Sequence, residues 1–196
     1  MSDPVVRALD ADERRARLDE MAALRIAVFA DYPYLYAGDA EYERRYLQPY
    51  VESKEAVVVA ALVDDTLIGM ATATPMEAHA DEFAAAFAER PEPLGEILYC
   101  AESVLLPAWR GRGIGHRFFD LREAHGRALG RRYSAFCGVI RPTDHPARPA
   151  DYVPLDGFWQ RRGYTPLPGV IATFHWRDHG DQEETGKPLQ FWMRTL

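Results

Sequence analysis

The sequence predicts one mixed domain of the α/β (α+β) class, and three observations carry that prediction. Apolar runs of strand length, at 56–63, 97–106 and 133–140, alternate with stretches whose apolar residues recur at helical spacing. The run Val104-Leu105-Leu106-Pro107 leads into Arg110-Gly111-Arg112-Gly113-Ile114-Gly115 and then a helical stripe, so a strand opens through a glycine-rich turn into a helix. With 196 residues, 47% of them apolar, the chain suits a single core, because domains usually run about 100–200 residues.

Residues 5–9 suit a short first strand. Over 12–29, Leu18, Met21, Leu24 and Val28 recur at helical spacing with charges between them, which predicts an amphipathic helix. Tyr32-Pro33 ends it, since the residue before a proline is pushed out of helical space. An aromatic loop covers 34–39, and Asp39 can cap a second helix, carrying Tyr42, Tyr46 and Leu47, that stops near Pro49. Residues 56–63 and 67–74 read as a hairpin about Asp64-Asp65. An alanine-rich helix over 77–88 is closed by Pro91 and Pro93. Residues 97–106 form the strand that feeds the glycine turn. The helix over 114–129 has the stripe Ile114, Phe118, Leu121 and Ala128, with Gly130 as its stop. A strand over 133–140 and a proline-rich loop over 142–154 come next, and Asp156 caps a short helix that Gly163 ends. Residues 171–177 and 189–196 read as a terminal hairpin around the acidic loop 178–187. There is no internal repeat.

Composition narrows the partners. Basic residues number 23 against 30 acidic, a formal charge of -7, which offers no overall footprint for nucleic acid or an anionic membrane and favours a cationic partner such as an amine. Cys100 and Cys137 lie in apolar runs without metal or redox spacing, so a reduced, cytoplasmic protein is expected. The start, MSDPVVRALDADERR, is too charged for a signal peptide, and the longest strongly apolar run is too short to span a bilayer. His175 and His179 have i, i+4 spacing but fall at a strand end and loop, and no bound metal is expected.

Glycines at 111, 113 and 115 let backbone amides approach a ligand closely. The helix start they open carries the positive end of the helix dipole, and Arg110 and Arg112 add charged donors. That combination suits a phosphate. A P-loop would need Gly-Lys followed by Ser or Thr, which is absent. A dinucleotide fingerprint would need G-x-G-x-x-G and an acidic residue roughly 20 positions on; here the spacing is G-x-G-x-G and the strand over 133–140 ends without a carboxylate.

Arg110-x-x-Gly113-x-Gly115 matches the Q/R-x-x-G-x-G/A signature of the GNAT-type N-acetyltransferases. The approach Leu105-Leu106-Pro107-Ala108-Trp109-Arg110-Gly111 resembles that family's segment, and so does Phe158-Trp159-Gln160-Arg161-Arg162-Gly163-Tyr164 further on. The resemblance covers nearly the whole chain, apart from the extra alanine-rich helix. It implies a mixed, mostly antiparallel twisted sheet with flanking helices, splayed between its fourth and fifth strands, with acetyl-CoA in the gap. By match, the backbone of Val104 and Leu105 holds the pantetheine arm. Arg110, Gly111, Arg112, Gly113, Ile114, Gly115 and His116 hold the phosphates, and a backbone N–H near Leu105 polarises the thioester carbonyl.

The acceptor amine must lose a proton to attack. Glu102, a carboxylate inside a strand, is the first candidate base, and Glu96, on the same face by period-two counting, is the second; a carboxylate paired with an arginine is the competing reading. The family commonly places a tyrosine acid where this chain has Trp159, whose indole N–H is no usable acid. Tyr152 or water then serves the leaving thiolate. Cys137 is read as structural, since no histidine adjoins it in sequence. Tyr32, Tyr34 and Tyr36 lie in the loop that lines the acceptor pocket of relatives, as an apolar wall with polar tips. The stiff loop 142–155 can cover it. The implied activity is acetyl transfer to a primary amine, of a small molecule or alternatively of a protein, by direct attack. A catalytically silent acyl-CoA-binding module and a nucleotide-binding domain are the competing classes. The terminal hairpin offers an edge that relatives use for homodimers.

Overall fold

The computed structural model describes residues 3–196. After β1 (Val5–Ala8), Asp10 accepts from the Glu13 amide and Glu13 reaches back to the Asp10 amide, a capping box that starts α1 (Ala11–Ala16). The single helix expected over 12–29 is two helices. Arg17 leaves helical geometry, its guanidinium reaching the Asp65 carbonyl at 3.0 Å, and α2 (Leu18–Phe29) begins after it. Asp39 caps α3 (Ala40–Glu52) as expected, but α3 runs through Pro49 instead of stopping there. Burial of Tyr50 and Val51 favours the extra turn. Arg14 Nη1 also satisfies the free end, taking the carbonyls of Tyr50, Ser53 and Ala56 at 2.9, 3.1 and 3.2 Å.

β2 (Val57–Val63) and β3 (Thr66–Pro75) form a hairpin in which Asp64 and Asp65 take φ values of 46° and 65°, the sign that matches strand twist. The alanine-rich segment is helical only briefly: a 3-10 turn, Met76–His79, runs into α4 (Ala80–Phe83), and the rest is irregular. Phe83 and Phe87 pin it edge-on to Phe191, at 5.2 and 4.9 Å between ring centres. So short a segment gains more from that anchoring than from continuing a helix.

Next come β4 (Ile97–Tyr99), β5 (Ser103–Leu105), α5 (Ile114–Ala128), β6 (Tyr133–Val139), α6 (Asp156–Arg161), β7 (Thr165–Trp176) and β8 (Thr185–Thr195). Asp156 is not the cap of α6: Leu155 holds that position, and Asp156 sits in the first turn, where its charge suits the helix dipole. β7 and β8 both extend further than the expected hairpin, which shortens the acidic loop.

The sheet order is β1-β2-β3-β4-β6-β8-β7, with β5 also on β3; β4–β6 is the parallel pair and the others are antiparallel. Ile114, Phe118 and Phe119 of α5 pack on one face, with Val59, Ala71 and Leu98. Met21 and Leu24 of α2 and Leu47 of α3 pack on the other, with Val58, Ala60 and Met70. A third apolar cluster joins Met76, Phe83 and Phe87 to β4, β6 and β8. Among the described residues no helix is long and apolar enough to cross a membrane.

Candidate active site

The strand expected over 97–106 is broken by one extra residue. Register against β3 runs Thr74↔Tyr99 before the break and Ala71↔Ser103 after it, so Ala101 and Glu102 together face Thr72. The Thr72 amide donates to the Glu102 carbonyl at 3.1 Å, and the Ala101 amide to the Thr72 carbonyl at 3.2 Å. This β-bulge reverses the face of every later residue. Period-two counting from Glu96 to Glu102 therefore fails. Glu102 turns toward α2 and α3, whereas Glu96 lies on a 3-10 turn before β4, paired with Arg132 at 2.8 Å.

The bulge also opens the sheet. β4 pairs with β6 through Tyr99↔Ala135, and the Cys100 amide still donates to the Ala135 carbonyl at 2.8 Å. Beyond that bond, β5 pairs with β3 and β6 with β8, and the two strands part. Glu102 O and Leu106 N bond to β3, so by alternation Val104 does the same, while the backbone groups of Ser103 and Leu105 point into the gap. Of the two residues expected to hold the pantetheine arm, Leu105 faces the gap and Val104 does not; Ser103 joins Leu105 on that edge.

At the far end of β5 the glycine turn opens α5. Gly111 and Gly113 have φ of 75° and 78°, and a side chain added at either would meet nothing within 4 Å. Backbone conformation, not crowding, requires glycine there, and the space above both is open. Gly113 is the N-cap of α5, without a side-chain cap or an acidic residue in the first turn. The amides of Ile114, Gly115 and His116 thus point out as free donors, an anion seat. Beside it, Arg110 Nε donates to the Leu105 carbonyl at 3.2 Å, Arg112 stacks on Trp109 at 4.8 Å, and the His116 ring meets Phe158 edge-on at 4.8 Å.

On the opposite face the bulge delivers Glu102 into a buried charged cluster. Glu102 is 5% exposed; it receives Arg25 Nη1 at 2.5 Å, Thr72 Oγ1 at 2.7 Å and Tyr46 Oη at 3.1 Å. Arg25 also donates through Nε to Glu43, which is 0% exposed and whose Oε1 has no partner. Its guanidinium lies over Tyr46 at 4.1 Å and Phe29 at 4.9 Å. Although burial disfavours its charge, Glu102, Tyr46 and Glu43 together hold Arg25 above its ordinary range. Two carboxyl groups share one guanidinium between α2, α3 and the bulge.

Arg25 and Glu43 were not singled out in the sequence, yet both carried a signal. Arg25 lies four residues after Met21 on the apolar stripe of α2, and Glu43 falls in phase with Tyr46, Leu47 and Tyr50 on α3.

Tyr34 adjoins this cluster. Burial raises its hydroxyl above the ordinary phenol range, and Cys137, Arg25, Tyr152 and Glu102 are all near enough to act on it. Tyr152 stacks edge-on against Tyr32 at 4.7 Å, so the proline-rich loop meets the tyrosine loop after α2. Tyr36 bridges to Asp178. Arg141 fixes the loop from below, donating to the Pro33 and Tyr34 carbonyls, each at 2.7 Å, and to both oxygens of Asp178. Burial would raise the Asp178 carboxyl, but Arg141 and Lys187 outweigh it and hold it below its ordinary 3.8. Such a carboxylate contributes stability that is present above the ordinary value and lost as pH falls through the lowered one. Asp178→Asn should therefore cost about 3 kcal/mol near neutral pH, measured by urea unfolding, with the difference from the parent narrowing below pH 3.8.

Cys137 is buried and 3.8 Å from Tyr99 Oη, and burial pushes its thiol up to about 12. It is not a nucleophile near neutral pH. The native protein should resist iodoacetamide at Cys137, and Cys137→Ala should keep most of its turnover. Trp159 lies on the α5 side, against Gly138, Phe136 and Trp192.

Residues 21–150 match the acetyltransferase (GNAT) family. The chain belongs to that family. It is an acyltransferase that transfers acetyl groups to amines. This GNAT domain resembles solved structures along their whole length. With a polyamine N-acetyltransferase of Drosophila melanogaster, which forms N-acetylagmatine, identity is 17% and the TM-score 0.60, over 99% of this chain and 100% of that one. With a ribosomal-protein-alanine N-acetyltransferase of Brucella melitensis the values are 14% and 0.60, over 98% and 99%. With aminoglycoside 6'-acetyltransferase type Ii they are 15% and 0.60, over 97% and 96%. At these identities the likeness is one of fold. No curated protein matches the sequence.

Proposed function

We propose that this GNAT enzyme transfers the acetyl group of acetyl-CoA to a primary amine of a small cationic molecule, by direct attack within a ternary complex, in the cytoplasm. One observation carries the reading: the bulge at Ala101-Glu102 frees a backbone edge of β5 on one side and turns a buried carboxyl group toward α2 and α3 on the other. The free amides of Ile114 to His116 suit the pyrophosphate, and the edge at Ser103 and Leu105 suits the pantetheine arm as an added strand. An N–H on that edge polarises the thioester carbonyl, a preorganised donor worth about 3–4 kcal/mol in comparable enzymes.

The amine enters from the side of α2 and α3. The two carboxyl groups of Glu43 and Glu102 on this side suit an amine, and Glu102 takes its proton. The amine nitrogen bonds to the carbonyl carbon and the C–S bond breaks. Trp159 packs on Gly138, Phe136 and Trp192 on the α5 side and Tyr152 is stacked on Tyr32, so water protonates the departing thiolate. A cationic acceptor also agrees with the acidic net charge and with the polyamine and aminoglycoside substrates named for two proteins of this fold.

Initial velocities with acetyl-CoA and amine both varied test direct attack. Intersecting lines, with no acetylated protein by intact mass in the absence of amine, are expected. Parallel lines with an acetylated side chain would replace it with a covalent route.

A further inference from the structure

An ammonium acceptor gives up two protons when it becomes an amide. One ends on the CoA sulfur and the other must leave the protein, because acetyl-CoA and R-NH3+ give the amide, CoA thiol and H+. Glu102 is buried beneath Arg25 and Thr72, so a proton that reaches it needs a way out.

A line of polar side chains leads from Glu102 to the surface through an otherwise aromatic region. Tyr46 Oη lies 3.1 Å from Glu102 Oε2. The Tyr46 and Tyr50 rings are 5.8 Å apart, one turn along α3. Tyr50 Oη lies 3.4 Å from His79 Nε2, and His79 Nδ1 3.5 Å from a Glu82 carboxylate oxygen. From Tyr50 outward exposure rises: Tyr50 is 2% exposed, the His79 side chain 16% and that of Glu82 53%. His79 is held on every side, by Tyr50 from α3, Tyr99 from β4 at 5.2 Å, and Phe83 and Glu82 from α4. Burial keeps both Tyr46 and Tyr50 protonated far beyond neutral pH.

We propose that Tyr46, Tyr50 and His79 form the exit route for the acceptor's proton, with His79 as the group that delivers it to solvent beside Glu82. This rests on Glu102 as the base. When Glu102 gains a proton, it donates to Tyr46 Oη; the Tyr46 hydrogen turns to Tyr50, and the Tyr50 hydrogen passes to His79 Nε2. The proton on His79 Nδ1 leaves to water, and no tyrosine has to remain charged. The arrangement also gives a reason for a histidine at the base of α4, packed among the rings of Tyr50, Phe83 and Tyr99.

Single-turnover rates, with the best acceptor among agmatine, a linear polyamine and an aminoglycoside, test the route. His79→Ala and Tyr50→Phe should each slow the acetyl-transfer step about tenfold, below the usual range for a direct acid or base, with acetyl-CoA affinity unchanged. Added imidazole should restore His79→Ala and leave Tyr50→Phe slow, which a purely structural role would not produce. Glu102→Gln should slow the step about a hundredfold without rescue. If His79→Ala and Tyr50→Phe run at the parent rate while Glu102→Gln is slow, the exit route is wrong and the base stands. A slow His79→Ala that imidazole does not restore, beside a fast Tyr50→Phe, also overturns the route. Glu102→Gln at the parent rate overturns the base itself.

Discussion

Arg25→Met is expected to cost about 3–5 kcal/mol of stability, the usual result of breaking a buried ion pair from one side. Methionine fills much of the same volume between Phe29 and Tyr46, so lost packing is the smaller part. The larger part is electrostatic. Glu43 and Glu102, 0% and 5% exposed, would face each other without a counter-charge, and Glu43 already has one oxygen without a partner. Urea unfolding measures the loss. Adding Glu43→Gln and Glu102→Gln to Arg25→Met should recover most of it. A deficit not recovered in the triple variant would mean that Arg25 acts through packing.

Gly113→Val should weaken acetyl-CoA binding about thirtyfold while the protein stays folded. Gly113 has φ of 78° in open space, so valine meets no neighbour, yet its branched side chain is strained there by about 2 kcal/mol. The strain is relieved by turning the peptide, which withdraws amides from the anion seat. Binding then either restores the strained turn, at about 2 kcal/mol, or forgoes a charge-assisted bond worth about 1.5–3 kcal/mol, and about 2 kcal/mol is a thirtyfold loss. Gly115→Ala is the control. Gly115 lies within the helix, and its added carbon would sit 3.5 Å from Phe158, an ordinary contact. That variant should bind acetyl-CoA nearly as well as the parent and be slightly more stable, since alanine favours a helix. Calorimetric titration of both variants gives the comparison, and equal loss at 113 and 115 would argue against backbone conformation as the cause.

The glycine turn was legible because its requirement is local: left-handed backbone at a helix start needs glycine wherever the rest of the chain goes. The order of strands and helices was legible for a related reason, since apolar periodicity reports burial directly. The bulge was not. Its extra residue, in Ala101-Glu102, is defined by what β3 places opposite it, and nothing within 97–106 marks it. That single residue turns Glu102 toward α2 and α3, off the face that counting from Glu96 gives it, and it puts Ser103 in place of Val104 on the free edge of β5. Pro49 inside α3 is a similar case, because Arg14, from a different helix, supplies the capping that local rules cannot see. Arg25 and Glu43 sat in plain view on apolar stripes, where a charge in phase with the core signals a buried pair. Tyr32 meets the proline-rich loop through Tyr152, while the clamp on the tyrosine loop, Arg141 with Asp178, comes from segments remote in sequence.

Thiol release from acetyl-CoA, followed with and without agmatine, a linear polyamine and an aminoglycoside, tests the central claim most directly. Release that depends on at least one of these amines, and that matches the acetylated amine formed one for one, is the predicted result. Tight acetyl-CoA binding with no amine-dependent thiol would contradict it, leaving a GNAT fold that holds its donor and transfers nothing.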